Sequence, residues 1–320
     1  MKALITGGAG FIGSHLCEAL LHQGHQVTAI DDLSTGSHAN IAHLEANDKF
    51  QLVVDTVLND QLVNQLVRES DVVYHLASAV GVQLIIDQPT QTIQTIVEGT
   101  RVILDASKRY RRPVLITSTS EVYGKGSKIP FAEDDDIVLG PTSTRRWLYA
   151  SAKMLDEFLG LAHWYETRLP VIIIRLFNTV GPRQVGQYGM VLPRFVQKAL
   201  AGDPLTVYGD GKQARCFCHV SDAVSALIKL SQCKNAYGKV INVGSEEEIS
   251  ILNLAKKVIK QTNSNSQIEF LSYDKAYTQG FDDMQRRVPD LSRVKELVTY
   301  QPEHDLTSVI QSTIDYWQNA

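Results

Sequence analysis

Tyr149 and Lys153, in Tyr149-Ala150-Ser151-Ala152-Lys153, stand four residues apart and so share one face of a helix, one turn from each other. An ammonium beside a phenol favours the phenolate and lowers a pKa that starts near ~10. Such a pair can take the proton from an alcohol near neutral pH. The same spacing also arises on ordinary solvated helix faces. The chemistry needs a hydride acceptor and a pocket for the alcohol, and the rest of the chain has to position both.

The hydride acceptor has a candidate site at the start of the chain. Residues 2–6 form a short apolar run, and Gly7-Gly8-Ala9-Gly10-Phe11-Ile12-Gly13 then opens a helix through Leu21. Strand, glycine turn and helix are the context that makes such a pattern a dinucleotide fingerprint. Gly7 permits the tight turn, Gly10 lets backbone approach a pyrophosphate, and Gly13 allows close helix–strand packing. The N–H groups at the start of the helix, around Phe11 and Ile12, face the phosphates. A second strand over 26–30 ends in Asp31-Asp32, and Asp31 follows Gly13 by 18 residues. A carboxylate there binds the adenosine ribose and repels a 2′-phosphate. No arginine follows it before Arg68, so NAD is expected rather than NADP. Ser34, Thr35 and Gly36 are read as wrapping the ribose, and Asp55, after a third strand over 50–54, as touching adenine.

A fourth strand is read over 71–78, where the small residues Ala77, Ser78 and Ala79 would let the cofactor lie close to backbone. His75 within it reads as a satisfied interior histidine. A long helix over 89–110 and a fifth strand over 113–117 follow, then the hydroxyl and carboxylate cluster Thr117-Ser118-Thr119-Ser120-Glu121. Residues 125–148, with an acidic run from Glu133 to Asp136 read as a solvated loop, lead into the Tyr149 helix. A sixth strand is expected over 170–176. Alternating strands and helices predict a parallel sheet with ligands at the strands' carboxyl ends. Beyond 176 the rhythm changes. Helices are expected over 193–200, 221–230, 250–262, near 292–298 and 305–318, with a strand over 205–208. A further one at 240–243 could rejoin the large sheet.

The expected class is therefore α/β, a Rossmann-type doubly wound parallel sheet with a smaller C-terminal substrate-binding lobe. The sheet domain is placed at 1–175 with return segments near 215–245, and the lobe at 176–214 and 246–320. Charged residues make up 21% of the chain and the net charge is −4, with signs interspersed, which argues against a nucleic-acid partner. The four cysteines (Cys17, Cys216, Cys218, Cys233) are too few for a disulfide scaffold and lack the paired spacing of a zinc site. The N-terminus is too short for a signal segment and no later run could span a bilayer, so a soluble, cytoplasmic protein without membrane contact is expected.

Taken in order, GGAGFIG, Asp31, HLAS at 75–78, TSTSEVYG, YASAK, RLFNTVGPRQ, PLTVYGDGKQAR and RRVPD resemble the extended short-chain dehydrogenases/reductases that epimerise, dehydrate or decarboxylate nucleotide sugars. The resemblance covers essentially the whole chain. It implies Tyr149 as the base, with Lys153 holding the phenolate and a nicotinamide ribose hydroxyl. Thr119, Ser120 and Glu121 would complete the catalytic group, and Leu76 and Thr117 would join the cofactor wall. It implies a UDP-sugar held by Asn178, Arg183, Val191, Arg194, Tyr208, Arg215 and Arg287. Arg215 would take the diphosphate, Tyr208 the uracil or ribose, and Arg287 the sugar end, with a plain surface role as its competing reading. It also implies a homodimer and no metal.

Ser-Glu-Val-Tyr-Gly at 120–124 and the approach from Gly140-Pro141 through Arg146-Trp147-Leu148 are similar to UDP-glucuronate decarboxylases. Gly189-Met190-Val191-Leu192-Pro193-Arg194 is closer to the epimerase pattern, and Ile96 stands where asparagine is usual. The resemblance thus implies decarboxylation of UDP-glucuronate through a 4-keto intermediate. A UDP-sugar 4-epimerase is the alternative and a 4,6-dehydratase a more distant one. A non-catalytic NAD-sensing module on the same fold is a further rival, against which the intact Tyr149 and Lys153 count.

Overall fold

The computed structural model describes residues 1–78, 88–145, 147–186, 190–272 and 284–319. Ala79, Arg146 and Gly189, which enter the sequence reading, lie outside them. Seven strands form one parallel sheet: β1 (Lys2–Thr6), β2 (Gln26–Asp31), β3 (Phe50–Val54), β4 (Val72–His75), β5 (Val114–Thr119), β6 (Val171–Leu176) and β11 (Lys239–Val243). Their order is β11-β6-β5-β4-β1-β2-β3. Every neighbouring pair in it is parallel.

These strands are apolar on both faces because both faces are covered. Ile5, Ala29, Tyr74, Leu115, Ile174 and Val243 point to one side, against helices Phe11–His22, Val220–Ser231 and Ser292–Val298. Leu4, Ile30, Val73, Ile116 and Ile173 point to the other, against helices Asp60–Glu69, Gly99–Tyr110 and Trp147–Thr167. The order of β1 to β6 leaves a switch point between β1 and β4, where the next strand in sequence lies on the opposite side.

The remaining strands are short: β7 (Thr179–Val180) beside β10 (Cys218–His219), β8 (Leu205–Tyr208) beside β13 (Ile268–Leu271), and β9 (Ala214–Cys216) between β12 (Glu248–Ser250) and β14 (Arg286–Arg287). A separate apolar cluster holds helices Val191–Ala201, Ile251–Gln261 and Leu306–Asn319 together through Phe195, Leu254 and Ile310. Leu291, Val294 and Tyr300, grouped with the lobe in the sequence reading, pack instead into the core of the large sheet.

Three local expectations are corrected. The fourth strand ends at His75 rather than at 78, because the Thr6 hydroxyl takes the N–H groups of Leu76 and Ala77 at 3.1 and 3.0 Å and draws the chain off the ladder. The helix expected over 89–110 is interrupted by a π-helical stretch, Gln94–Glu98. The acidic run is not simply solvated: Glu133 is buried, accepts the Asn242 N–H at 2.9 Å and lies 3.8 Å from Arg293. Burial raises its carboxyl above the ordinary value.

Candidate active site

A cavity of about 920 Å³ lies along the carboxyl ends of the sheet strands and continues into the smaller lobe. Its inner end is built by the glycine turn. Gly7 sits at φ +71, and a Cβ on it would stand 2.9 Å from the Ala77 nitrogen. A Cβ on Gly13 would come within 2.0 Å of the Gly7 carbonyl oxygen. Side chains are thus excluded where strand end and helix start meet. Helix Phe11–His22 starts at Gly10 with no side-chain cap and no acidic residue in its first turn. Its first N–H groups and its positive dipole end are left for an anion. Gly7, Gly10, Phe11, Ile12 and Gly13 all line the cavity.

Asp31, Asp32, Ser34, Thr35 and Asp55 line the same end. The Asp31 carboxylate accepts the N–H groups of Ala9 and Leu33, each at 2.9 Å, so it braces the glycine turn as well as facing the cavity. Burial raises its carboxyl above the usual value against those N–H groups. Asp32 accepts the Ser34 N–H at 3.0 Å and its hydroxyl at 2.5 Å. Gly36 is not a wall residue: a Cβ there would lie 2.8 Å from Asp31 Oδ1, so its smallness serves to seat that carboxylate. An uncapped helix start beside side-chain-free backbone, with two carboxylates at the next strand's end, fits an adenine dinucleotide.

Leu76, Ala77, Ser78, Thr117, Thr119, Ser120 and Glu121 continue the wall toward Tyr149 and Lys153. Ser120 to Tyr123 form one 3-10 turn after β5, and Thr119 Oγ1 accepts the Glu121 N–H at 3.2 Å. The Ser120 hydroxyl is buried and has no hydrogen-bond partner among the described residues.

Lys153 is almost wholly buried, and its Nζ donates to Asp156 Oδ2 at 2.8 Å. The sequence reading expects Lys153 to lower the Tyr149 pKa; the net direction in the fold is upward. Tyr149 is partly exposed to the cavity, yet the protein packed round its phenol desolvates it and pushes its pKa up. Glu121 and Asp156 push it the same way, and the hydroxyls of Ser78 and Thr119 pull it back.

Behind this wall lies a second ion pair. Glu157 accepts from Arg175 Nε at 2.9 Å and Nη2 at 2.7 Å, and from the Ser118 hydroxyl at 2.5 Å. The Arg175 guanidinium also lies 4.6 Å from the Tyr123 ring centre. His75 is buried between the hydroxyls of Thr6 (2.8 Å) and Thr100 (3.0 Å), the interior role read for it. Asp156, Glu157 and Arg175 were missed as part of the site. Arg175 had a signal, a charge inside an otherwise apolar strand, which must find a partner when buried.

The outer end carries the arginines. Arg287 is buried rather than on the surface; its Nη2 meets Glu121 Oε1 at 2.5 Å and its Nη1 donates to Asn178 Oδ1 at 3.4 Å. Asn178, at φ +33, donates from Nδ2 to the Cys216 carbonyl at 2.8 Å. Glu121, Arg287 and Asn178, far apart in sequence, thus form one chain across the cavity wall. Arg194 donates to the Tyr208 hydroxyl at 3.0 Å and lies over its ring. Val191 starts the helix that carries Arg194, and Arg215 lines the cavity close by. Arg183 lines the cavity and is held by Glu18, on the glycine-turn helix, at 2.6 Å.

Residues 4–313 match the family model described as GDP-mannose 4,6 dehydratase. A protein of Bacillus cytotoxicus named UDP-N-acetyl-alpha-D-glucosaminuronate decarboxylase is 42% identical over 99% of this chain and 98% of its own length. UDP-glucuronic acid decarboxylase 1 of Xenopus tropicalis is 35% identical over 99% of this chain and 72% of its own. Among solved structures, UDP-glucuronic acid 4-epimerase of Bacillus cereus, in complex with UDP-glucuronic acid and NAD, superposes with a TM-score of 0.89. It is 31% identical and covers 100% of this chain and 99% of its own.

Proposed function

The chain belongs to the GDP-mannose 4,6-dehydratase family of extended short-chain dehydrogenases/reductases, and within it we propose an NAD-dependent UDP-hexuronate decarboxylase. The observation that carries this reading is the Glu121–Arg287 ion pair on the cavity wall, in the same cavity as Tyr149. A charged pair there suits a substrate that carries a carboxylate and loses it. A neutral-sugar epimerase has no such need.

Tyr149 accepts the O4 proton. NAD, held by the Gly7–Gly13 turn and Asp31, would supply an acceptor for the C4 hydride and a donor for its return. The ketone at C4 is β to the C6 carboxylate, so the electrons of the broken C5–C6 bond pass into a C4 enolate as carbon dioxide leaves. Glu121 and Ser120 position the ring while C5 takes up a proton that enters from solvent, and Tyr149 gives its own proton back to O4 when C4 is reduced. Arg287, anchored on Glu121 and Asn178, holds the sugar end. Arg215 takes the diphosphate, with Arg194 and Tyr208 beside the nucleoside. Acid–base steps of this kind each contribute roughly 10²–10⁴-fold.

Purified protein incubated with UDP-glucuronate and, separately, its 2-acetamido counterpart should release carbon dioxide and form a UDP-pentose, followed by mass. Turnover of neutral UDP-sugars or GDP-mannose alone would end this reading. Decarboxylation that persists in Tyr149→Phe would end the base assignment. The Bacillus cereus neighbour supports one second reading, 4-epimerisation of a UDP-uronate, whose product keeps the substrate's mass.

A homodimer is proposed as well. Leu155, Phe158 and Tyr165 form an exposed apolar stripe on the Tyr149 helix, with Ile93 also exposed on helix Pro89–Ile93. A second copy of the chain is the proposed cover. The sheet-and-lobe division at about residue 176 is kept, with 215–245 and 291–300 counted to the sheet side. Four free cysteines are consistent with a reducing cytoplasm. No helix among the described residues is long and apolar enough to cross a membrane.

A further inference from the structure

Polar residues break the apolar runs of β6 and β11 at facing positions: Asn242 pairs in register with Arg175. Partners in register project to the same face of a sheet. Arg175 is held by Glu157, whereas Asn242 is wholly buried, stands outside the cavity lining and takes no part in the proposed reaction. Its side-chain amide is nonetheless fully engaged. Oδ1 accepts the Tyr123 hydroxyl at 2.8 Å, and Nδ2 donates to the carbonyls of Phe131 at 2.9 Å and Asp290 at 3.3 Å. Those carbonyls can only accept, which fixes the end of the amide that faces them.

The three partners lie on the segments that carry the Glu121–Arg287 ion pair, or between them. Tyr123 closes the 3-10 turn Ser120–Tyr123, which contains Glu121. Asp290 follows closely on β14, which contains Arg287. Phe131 bridges the two: its N–H donates to the Val288 carbonyl and its carbonyl accepts the Asp290 N–H, each at 2.8 Å. Its ring also stacks on Tyr123, with centroids 4.7 Å apart, and so holds the phenol that points at Asn242.

We propose that Asn242 is a positioning residue for the sugar end of the site: its side-chain amide ties the turn that carries Glu121 to the segment that carries Arg287, and so sets how these two side chains meet. The proposal rests on reading Glu121 and Arg287 as the residues at the sugar end. An amide suits the place because it offers an acceptor and two N–H donors at once, with no charge to bury. Aspartate would set a carboxylate against two carbonyl oxygens. Alanine would leave the Tyr123 hydroxyl and both carbonyls without this partner in the interior. Either change frees the Arg287 segment from the Glu121 turn.

The test measures calorimetric affinity for UDP-glucuronate and for UDP in NAD-loaded protein that carries Tyr149→Phe, so that binding is read without turnover. Asn242→Ala should weaken UDP-glucuronate by about tenfold or more and leave UDP, which lacks the sugar, within about twofold. A merely structural role would loosen both ligands alike. Because Asn242 acts through Arg287, the same substitution in an Arg287→Ala background should cost less than about twofold further. Equal losses for both ligands, no loss for either, or the full loss with Arg287 already removed overturns the proposal. Should Asn242→Ala not fold, Tyr123→Phe replaces it, since it keeps the ring and removes one hydroxyl. It should weaken UDP-glucuronate by about threefold or more under the same controls, and an unchanged affinity overturns the proposal. Arg287→Ala alone tests the underlying reading. If it leaves UDP-glucuronate affinity unchanged, the sugar-end reading fails and this proposal with it. If it weakens UDP-glucuronate while Asn242→Ala does not, only the role of Asn242 fails.

Discussion

Glu121 separates the two halves of the proposed reaction. Tyr149 is asked only to take a proton, while Glu121, pinned by Arg287 on the cavity wall, is proposed to position the ring for protonation at C5. Glu121→Gln keeps a hydrogen-bonding side chain but loses the ion pair. It should still allow oxidation at C4, so reduced nicotinamide absorbance should build up with a UDP-uronate while carbon dioxide release falls by about 10²-fold or more. Equal loss of both signals would remove Glu121 from the second half. Glu157 makes a different demand. It accepts two bonds from Arg175 and one from Ser118 in the interior. Glu157→Gln leaves Arg175 charged and underpartnered, at a cost of ~3–5 kcal/mol in unfolding free energy. A urea titration checks this, and a loss below ~1 kcal/mol would contradict it.

At the scale of elements, the strands of the large sheet were legible because parallel strands covered on both faces read as unbroken apolar runs. The glycine turn was legible because only its residue types permit its backbone contacts. Gly13→Ala should therefore weaken NAD binding by at least tenfold, about 1.4 kcal/mol, by calorimetry, since a Cβ 2.0 Å from the Gly7 oxygen has to displace backbone. Affinity equal to wild type would mean that the turn yields. Other features were not legible, for identifiable reasons. The early end of β4 depends on a hydroxyl 70 residues upstream of Leu76. Burial of Glu133 depends on Asn242 and Arg293, which no local pattern brings near. Most of the proposed site residues could be named from the chain, but their pairing could not. That Arg287 meets Glu121, or that Lys153 is answered by Asp156, is a property of the folded wall.

For the whole molecule, buried histidines set an acid limit. His75 is lowered to about 3 by burial, and His219 to about 4 by burial and by the stacked His304. Both are neutral in the fold, so below their ordinary value of 6.5 the unfolded chain binds protons that the folded chain refuses. Stability therefore falls as pH drops from about 6.5, and the loss levels off only near pH 4 for His219 and pH 3 for His75. Asp31, Glu133 and Asp156 act in the opposite sense, because their raised values let the fold take protons before the unfolded chain does, above 3.8–4.5. The melting temperature should fall between about pH 6.5 and 5, and His75→Gln should flatten that slope. A flat wild-type profile would refute this account.

The late arrival of β11 has a consequence for how the chain is made. β6 lies between β5 and β11 in the finished sheet, yet the stretch 177–238 must leave the ribosome before β11 can dock. Through that interval the outer edge of β6, an almost wholly apolar Val-Ile-Ile-Ile-Arg-Leu run, stands open to other nascent chains. A fragment ending at residue 175 would keep that edge open and should precipitate where the full chain stays in solution, as light scattering would register. The dinucleotide half is thus closed by residues made after the first part of the lobe. Recombination that exchanged everything beyond residue 176 for another lobe would have to bring along a strand that still fits this sheet.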